Sequence, residues 1–321
     1  MKLEGIHHIT AITADAQRNV EFYAGVLGLR MVKKTVNFDA PDVYHLYYGD
    51  ELGHPGSVMT FFEFPGATQG RAGAGMVHRV TWRVRDAAAL DFWDDRLADA
   101  GVGVTRDGDA LRFHDPERLE LELAVVGSAD APLVAEAAGI PAEHALTGFD
   151  GVRAFSSRAE TSRPLFEEGL GFGGAGETSW SVAGDERRAA YAFDPAPPER
   201  GMQGAGTVHH IAWASRDEDH LAWQQRLRDA DGYVTDVRDR DYFKSIYFRE
   251  PRGVLFEIAT LSPGFATDED PQHLGEALRL PAQHEHLREQ LERALTPIAN
   301  PRAASGAFER SETTSSSRSP S

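Results

Sequence analysis

Gly5-Ile6-His7-His8-Ile9-Thr10-Ala11-Ile12-Thr13-Ala14-Asp15 has a counterpart far along the chain, Thr207-Val208-His209-His210-Ile211-Ala212-Trp213-Ala214-Ser215-Arg216-Asp217. Each stretch is a strand-like apolar run around a His-His-Ile triplet, and each leads into an acidic or amide-rich segment with helical spacing. Two copies this far apart point to a duplicated strand that carries imidazole into one shared site. A third stretch, Gly253-Val254-Leu255-Phe256-Glu257-Ile258, is an apolar strand with one carboxylate inside it. A charge in a strand interior is costly unless it is paired or binds a metal. Two histidines and one carboxylate on three strands match the ligand set of non-haem iron(II) oxygenases.

Composition narrows the function classes. The 321 residues are enough for two domains of ordinary size, and 41% hydrophobic content supports packed cores. With no cysteine, disulfides, iron–sulfur clusters and thiol catalysis are excluded, and the cytoplasm is the expected compartment. No segment reads as a signal peptide, and no apolar run approaches the roughly 20 residues of a membrane helix. A net charge of −17 argues against a nucleic-acid partner, since phosphate binding needs a basic surface. The lysines are Lys2, Lys33, Lys34 and Lys244 alone. Such an acidic, lysine-poor surface suits a high-salt interior, and a codon bias toward arginine explains it equally well.

A strand, a helix and three further strands recur four times. The first copy starts at Ile6, has a helix near Ala16–Leu27 and ends with Ser57-Val58-Met59-Thr60-Phe61-Phe62. The second starts at Met76-Val77-His78-Arg79, has a helix across Ala87–Ala100 and ends at Leu119–Leu123. The third, the most degenerate, starts near Val152; the fourth starts at Val208, has a helix around Asp217–Ala230 and ends at Glu257. Gly28 and Gly101 stand where helices one and two should stop. Gly127–Leu146 is Ala/Pro-rich and reads as a linker, and a helical extension follows over Asp270–Leu295. The expected domains are 1–140 and 147–298, two modules each, with a disordered tail over 299–321.

These residues carry a family resemblance over nearly all of residues 3–296. Besides the two His-His-Ile strands, it rests on Phe22-Tyr23, Val32-Lys33-Lys34-Thr35, Tyr44-His45-Leu46-Tyr47-Tyr48 and Asp50-Glu51-Leu52-Gly53. Further support comes from Asp239-Arg240, Tyr242-Phe243, Gly253-Val254-Leu255-Phe256-Glu257 and Gly264-Phe265-Ala266-Thr267-Asp268-Glu269. The chain resembles the vicinal oxygen chelate superfamily (glyoxalases, bleomycin-resistance proteins and extradiol dioxygenases). Within it, the chain is similar to ring-cleaving dioxygenases of the hydroquinone and chlorohydroquinone 1,2-dioxygenase type. The resemblance implies an α+β fold, four βαβββ modules in two cupped mixed-sheet half-barrels. It also implies an aromatic diol opened with O2 and a tendency to pair into homo-oligomers.

The repeat assigns the ligands without the family. His8 and His210 occupy the same first-strand position, where module two has Arg79 and module three is aligned to Ala154. At the last-strand position module four has Glu257 and module one Thr60. Modules one and four therefore combine to give His8, His210 and Glu257, with Thr60 as a weak fourth group. Such a set leaves positions open for water, substrate and oxygen, and it accepts Fe(II) or Mn(II). By resemblance, His209 is a proton donor or acceptor near the substrate, although strand alternation points it away from His210. Thr10, on the His8 face, lines the pocket. Tyr247 offers a phenolic hydroxyl and Arg240 a permanent charge for a phenolate, unless Asp239 or Asp241 takes that arginine into a surface pair. His45 reads as a buried hydrogen-bonded residue, and Glu122 as solvent-facing or paired with an arginine.

Other readings of the same fold have sequence signatures of their own. A glyoxalase-type isomerase or lyase normally supplies a fourth protein ligand, and Thr60 at that position counts against it. A metal-free binding module would not keep both histidines and Glu257. A catechol-type extradiol substrate stays open.

Overall fold

The computed structural model describes residues 1–230 and 232–302. Module one comprises β1 (Leu3–Thr13), α1 (Ala16–Val20), β2 (Arg30–Val36), β3 (Tyr44–Gly49) and β4 (Val58–Glu63). Module two comprises β5 (Val77–Val84), α2 (Ala87–Asp99), β6 (Thr105–Asp107), β7 (Ala110–His114) and β8 (Glu120–Val125). Module three has β9 (Phe149–Ser156), short helical turns, β10 (Gly173–Gly174), β11 (Ser179–Ala183) and β12 (Arg188–Pro195). Module four has β13 (Val208–Ser215), α3 (His220–Asp229), β14 (Arg238–Asp239), β15 (Lys244–Arg249) and β16 (Leu255–Thr260). α4 (Arg288–Ala294) closes the chain. No helix among the described residues is long and apolar enough to cross a membrane.

Local chemistry fixes the ends of these elements. Asp15 caps α1, its carboxylate accepting from the Arg18 N–H. The chain then continues through a π-helical turn, Glu21–Val26, until Gly28 at φ +70° lets it reverse. Asp86 caps α2 in the same way. The helical extension expected over Asp270–Leu295 is broken into a short turn at Pro271–His273 and a helical run over Ala282–Ala294, and between them the backbone passes beside β2, with the Arg279 N–H on the Lys34 carbonyl. Residues 299–302 fold back onto module one, where Arg302 pairs with Glu51 at 2.7 Å. The rest of the tail expected to be disordered, 303–321, lies outside the described residues.

The sheets cut across chain order. One runs β14-β15-β16-β13-β1-β4-β3-β2 and so joins module one to module four. The other runs β10-β11-β12-β9-β5-β8-β7-β6 and joins module two to module three. Each therefore takes one module from each half of the chain. Large apolar side chains, among them Trp82, Trp93, Trp180, Trp213 and Tyr191, fill the core and are at most 1% exposed. β1 is buried along its whole length. It pairs antiparallel with β13 and parallel with β4, while β13 pairs parallel with β16.

Both seams carry a matching pair of bulges, and the β1–β13 seam has a further register shift between Leu3 and Ile6. Along β1 and β13, Ile6 faces Trp213 and His8 faces Ala212, which leaves His7 as the extra residue. Farther on, Thr10 faces His210 and Ala11 faces Val208, which leaves out His209. The β5–β9 seam repeats the device, with His78 and Asp150 as the extra residues. The same register corrects one alignment. Ile211 corresponds to Val152, so the module-three counterpart of His210 is Gly151 rather than Ala154.

Candidate metal centre

His8 and His210 project from the central strands β1 and β13, and Glu257 from β16 beside them. The first two are 3% and 4% exposed and Glu257 is fully buried. One ligand atom from each lies within 4.8 Å of the other two, the one such group among the described residues. His8 Nε2 is 3.3 Å from His210 Nε2, and these two nitrogens stand 3.4 and 3.0 Å from Glu257 Oε2.

The hydrogen-bond network assigns the tautomers. His7 Nε2 lies 3.1 Å from the Thr260 carbonyl oxygen, which can only accept, so it carries the proton. Burial and then His8 lower the pKa of His7 to about 3, so the ring is neutral and its Nδ1 is an acceptor. His8 Nδ1, 2.9 Å away, must donate to it, which leaves His8 Nε2 a bare lone pair aimed into the site. His209 stands against His210 as His7 stands against His8, its Nδ1 2.8 Å from His210 Nδ1. Burial and then His210 lower its pKa to about 3 as well. Ser245 Oγ donates to Glu257 Oε1, while Glu257 Oε2 has no hydrogen-bond partner. Burial alone would raise the Glu257 carboxyl; positive charge facing it, on the imidazoles or on a cation in their place, outweighs burial and holds the group well below the carboxylate range.

Two nitrogen lone pairs and an orphaned carboxylate oxygen, all buried and converging, repel one another unless a cation lies between them. The donor set therefore fits a divalent metal. The bulges explain how neighbouring strand residues cooperate. As extra residues, His7 and His209 bring their rings beside the ligand that follows each of them, and each holds that ligand's far nitrogen.

Beside this centre is a cavity of about 30 Å³, bordered by His8, His210, His45, Tyr47, Tyr247, Arg240, Phe38, Phe62 and Phe243 among others. Tyr247 and Arg240 reach it as expected, with Arg240 Nε 3.3 Å from the Tyr247 hydroxyl. His209 does not border it, since its ring is committed to His210. Thr10 does not border it either; its hydroxyl lies 2.9 Å from Thr60 Oγ1. His45, read from the sequence as buried and hydrogen-bonded, is so here and also borders the cavity. Its Nε2 is 2.9 Å from Thr60 Oγ1 and its Nδ1 2.9 Å from the Tyr47 hydroxyl. One signal was available, because β3 places His45 and Tyr47 on the face that Thr60 shares. Arg240 pairs with Asp39 at 3.3 Å rather than with Asp239 or Asp241. Glu122 pairs with Arg79 and Arg112 in the other sheet.

Known proteins resemble this chain over most of its length. The sequence profile of the Glyoxalase/Bleomycin resistance protein/Dioxygenase superfamily matches residues 5–123 and 148–258. The chain is 45% identical over 308 residues to MhqO of Bacillus subtilis (strain 168), covering 92% of this chain and 97% of that protein. MhqO is provisionally named a ring-cleaving dioxygenase. The chain is 32% identical to a chlorohydroquinone/hydroquinone 1,2-dioxygenase of Sphingobium indicum, over 92% of this chain and 96% of that one. A crystal structure of a provisionally assigned dioxygenase from Bacillus subtilis superposes with a TM-score of 0.87 at 42% identity, covering 93% of this chain and 98% of that chain. Glyoxalase I from Zea mays, at 13% identity and a TM-score of 0.58 over 80% of this chain and 92% of its own, shares the fold.

Proposed function

The chain belongs to the glyoxalase/bleomycin resistance protein/dioxygenase superfamily, and from that premise we propose that it is a ring-cleaving dioxygenase that opens a hydroquinone-type diol with O2, using iron(II) held by His8, His210 and Glu257. The observation that carries this reading is the trio of converging, proton-free ligand atoms beside a cavity that holds His45, Tyr247 and Arg240. The names of its relatives point to the same class of reaction. A bound divalent metal would supply Lewis acidity and, as iron(II), the redox chemistry with O2 that side chains lack.

The protein's own groups supply orientation and protons. His7 and His209 remain neutral above about pH 3, and His7 keeps the proton of His8 on Nδ1, away from the site. His209 is thus a positioning residue. Burial, followed by His8 and His210, holds the His45 pKa well below its ordinary value, so His45 is a neutral base at the cavity wall. From there Tyr47, Thr60 and Thr10 extend a chain of hydroxyls that can hand a proton in either direction. Burial raises the Tyr247 pKa, which keeps its proton on the oxygen as a donor to a ring hydroxyl. Arg240 favours the ionised form of that hydroxyl. Phe38, Phe62 and Phe243 exclude water around it.

Oxygen uptake by anaerobically iron-loaded protein tests the reading, with hydroquinone, methylhydroquinone, a chlorohydroquinone and catechol offered in parallel. Stoichiometric uptake with the para-diols is the expected result. Uptake with catechol alone moves the substrate to the ortho-diols, and no uptake with any ring overturns the proposal in favour of an isomerase or lyase. The ligand set also suits manganese(II), and metal analysis of the active protein decides between the two.

A further inference from the structure

Asp39, on the loop between β2 and β3, meets Arg240, on the turn between β14 and β15, at the edge of the cavity. The guanidinium Nη2 is 3.3 Å from Asp39 Oδ2. The guanidinium carbon lies 5.3 Å from the Phe38 ring centre and 5.5 Å from that of Tyr247. The loop is held from outside as well, because the Gln283 and His284 side chains both donate to the Phe38 carbonyl at 2.8 Å. Behind the bridge the cavity measures about 30 Å³, far below the roughly 300 Å³ at which ligand pockets begin. A cavity this small admits an aromatic ring only if side chains at its border move, and the Asp39–Arg240 pair stands on that border. The two side chains are unequal partners. Asp39 is 70% exposed and can turn to water, while Arg240, 17% exposed, stays against the site.

We propose that Asp39 determines specificity at this site by yielding Arg240 to the oxygen of an uncharged diol and turning away rings that carry a carboxylate. This rests on the ring-cleavage reading above. Arg240 bears the one permanent positive charge among the described residues that border the cavity, so an anionic substituent would seek it. Such a substituent would compete with Asp39 for the same guanidinium and face it as a like charge in a partly dry place. A neutral hydroxyl meets no such repulsion.

The test is anaerobic titration calorimetry on the full-length, iron-loaded protein with hydroquinone and its carboxylated analogue 2,5-dihydroxybenzoate. In Asp39→Asn the ratio of the two dissociation constants shifts by about tenfold or more toward the carboxylated ring, as expected for removal of a close like charge. In Asp42→Asn, which makes the same charge change on the same loop at an exposed position, the ratio stays at the wild-type value. An unmoved ratio in Asp39→Asn, or an equal shift in Asp42→Asn, overturns the proposal while hydroquinone binding leaves the ring-cleavage reading intact. Binding of neither ring to any of the three proteins overturns both.

Discussion

The two half-barrels share strand order, pairing and bulge positions, yet one gathers unpaired ligands and the other pairs off its charges. In the first, the bulged residues His7 and His209 brace His8 and His210, and Glu257 Oε2 is left without a hydrogen bond. In the second, Arg79 stands where His8 does, Gly151 where His210 does, and Ala192 where Glu257 does. Glu122, the counterpart of Thr60, accepts from Arg112 at 2.7 Å and Arg79 at 3.3 Å. The bulged His78 lies 2.8 Å from Asp194, and the bulged Asp150 accepts from Arg83 at 3.1 Å. The scaffold alone therefore does not make a metal centre. A centre arises where buried donors cannot satisfy one another and need a cation from outside, whereas one arginine at the first ligand position makes the arrangement self-sufficient.

The comparison can be broken most severely at Glu257. Glu257→Gln should lose metal by more than the roughly 100-fold that marks the loss of an outer brace, read as metal content after dialysis. Next in size, His45→Gln should lower kcat by roughly 100- to 10,000-fold while metal content holds, because it removes proton transfer and spares the ligands. Single-turnover kinetics on the iron-loaded variant would show this, and an unchanged rate would remove His45 from the reaction.

Smaller changes sharpen the contrast. His209→Ala should weaken metal binding by about 10- to 100-fold. In the other half-barrel Arg79→Ala, at the position that His8 takes in the first, should leave metal untouched and cost about 1–3 kcal/mol of stability, because Glu122 keeps only part of its compensation. Competition titrations with a chelator and denaturant unfolding separate the two effects.

The smallest effect lies where the half-barrels meet. Asp115, before β8, accepts from the Tyr23 hydroxyl of module one at 3.1 Å. Burial raises its pKa from 3.8 to about 6, despite hydrogen bonds from the Leu119 and Glu117 amides and from Tyr23. The folded state then holds this proton more tightly than the unfolded chain. The group's contribution to stability is full below the ordinary value of 3.8 and declines as pH rises toward 6. Asp115→Asn should remove that decline, measured as the unfolding midpoint between pH 4 and 6.

Much of this was legible in the chain. The duplicated His-His-Ile strand and the lone carboxylate of Glu257 pointed to the trio that the fold brings within 4.8 Å of one another, because burying such groups without a partner is costly. The helix stops at Gly28 and Gly101 could be read from the chain, and so could the Thr60 vacancy at a fourth ligand position. His209 was harder. Strict alternation points it away from the site, and nothing in Val208-His209-His210 announces the bulge that turns its ring toward the ligand. His45 was read as buried and hydrogen-bonded, which it is, but its place on the cavity wall depends on β3 lying beside β4.

Sequence by itself singled out the candidate ligands His8, His210 and Glu257, since residue type, repeat position and the cost of buried charge are local properties. Tertiary structure alone decided how those residues are used. The seam register made His7 and His209 braces. Parallel pairing of β13 with β16 brought Glu257 to the imidazoles. The closing of one sheet across both halves of the chain set Asp39 against Arg240, 201 positions away. Such contacts depend on backbone pairing between distant strands, and no window of the chain contains both partners.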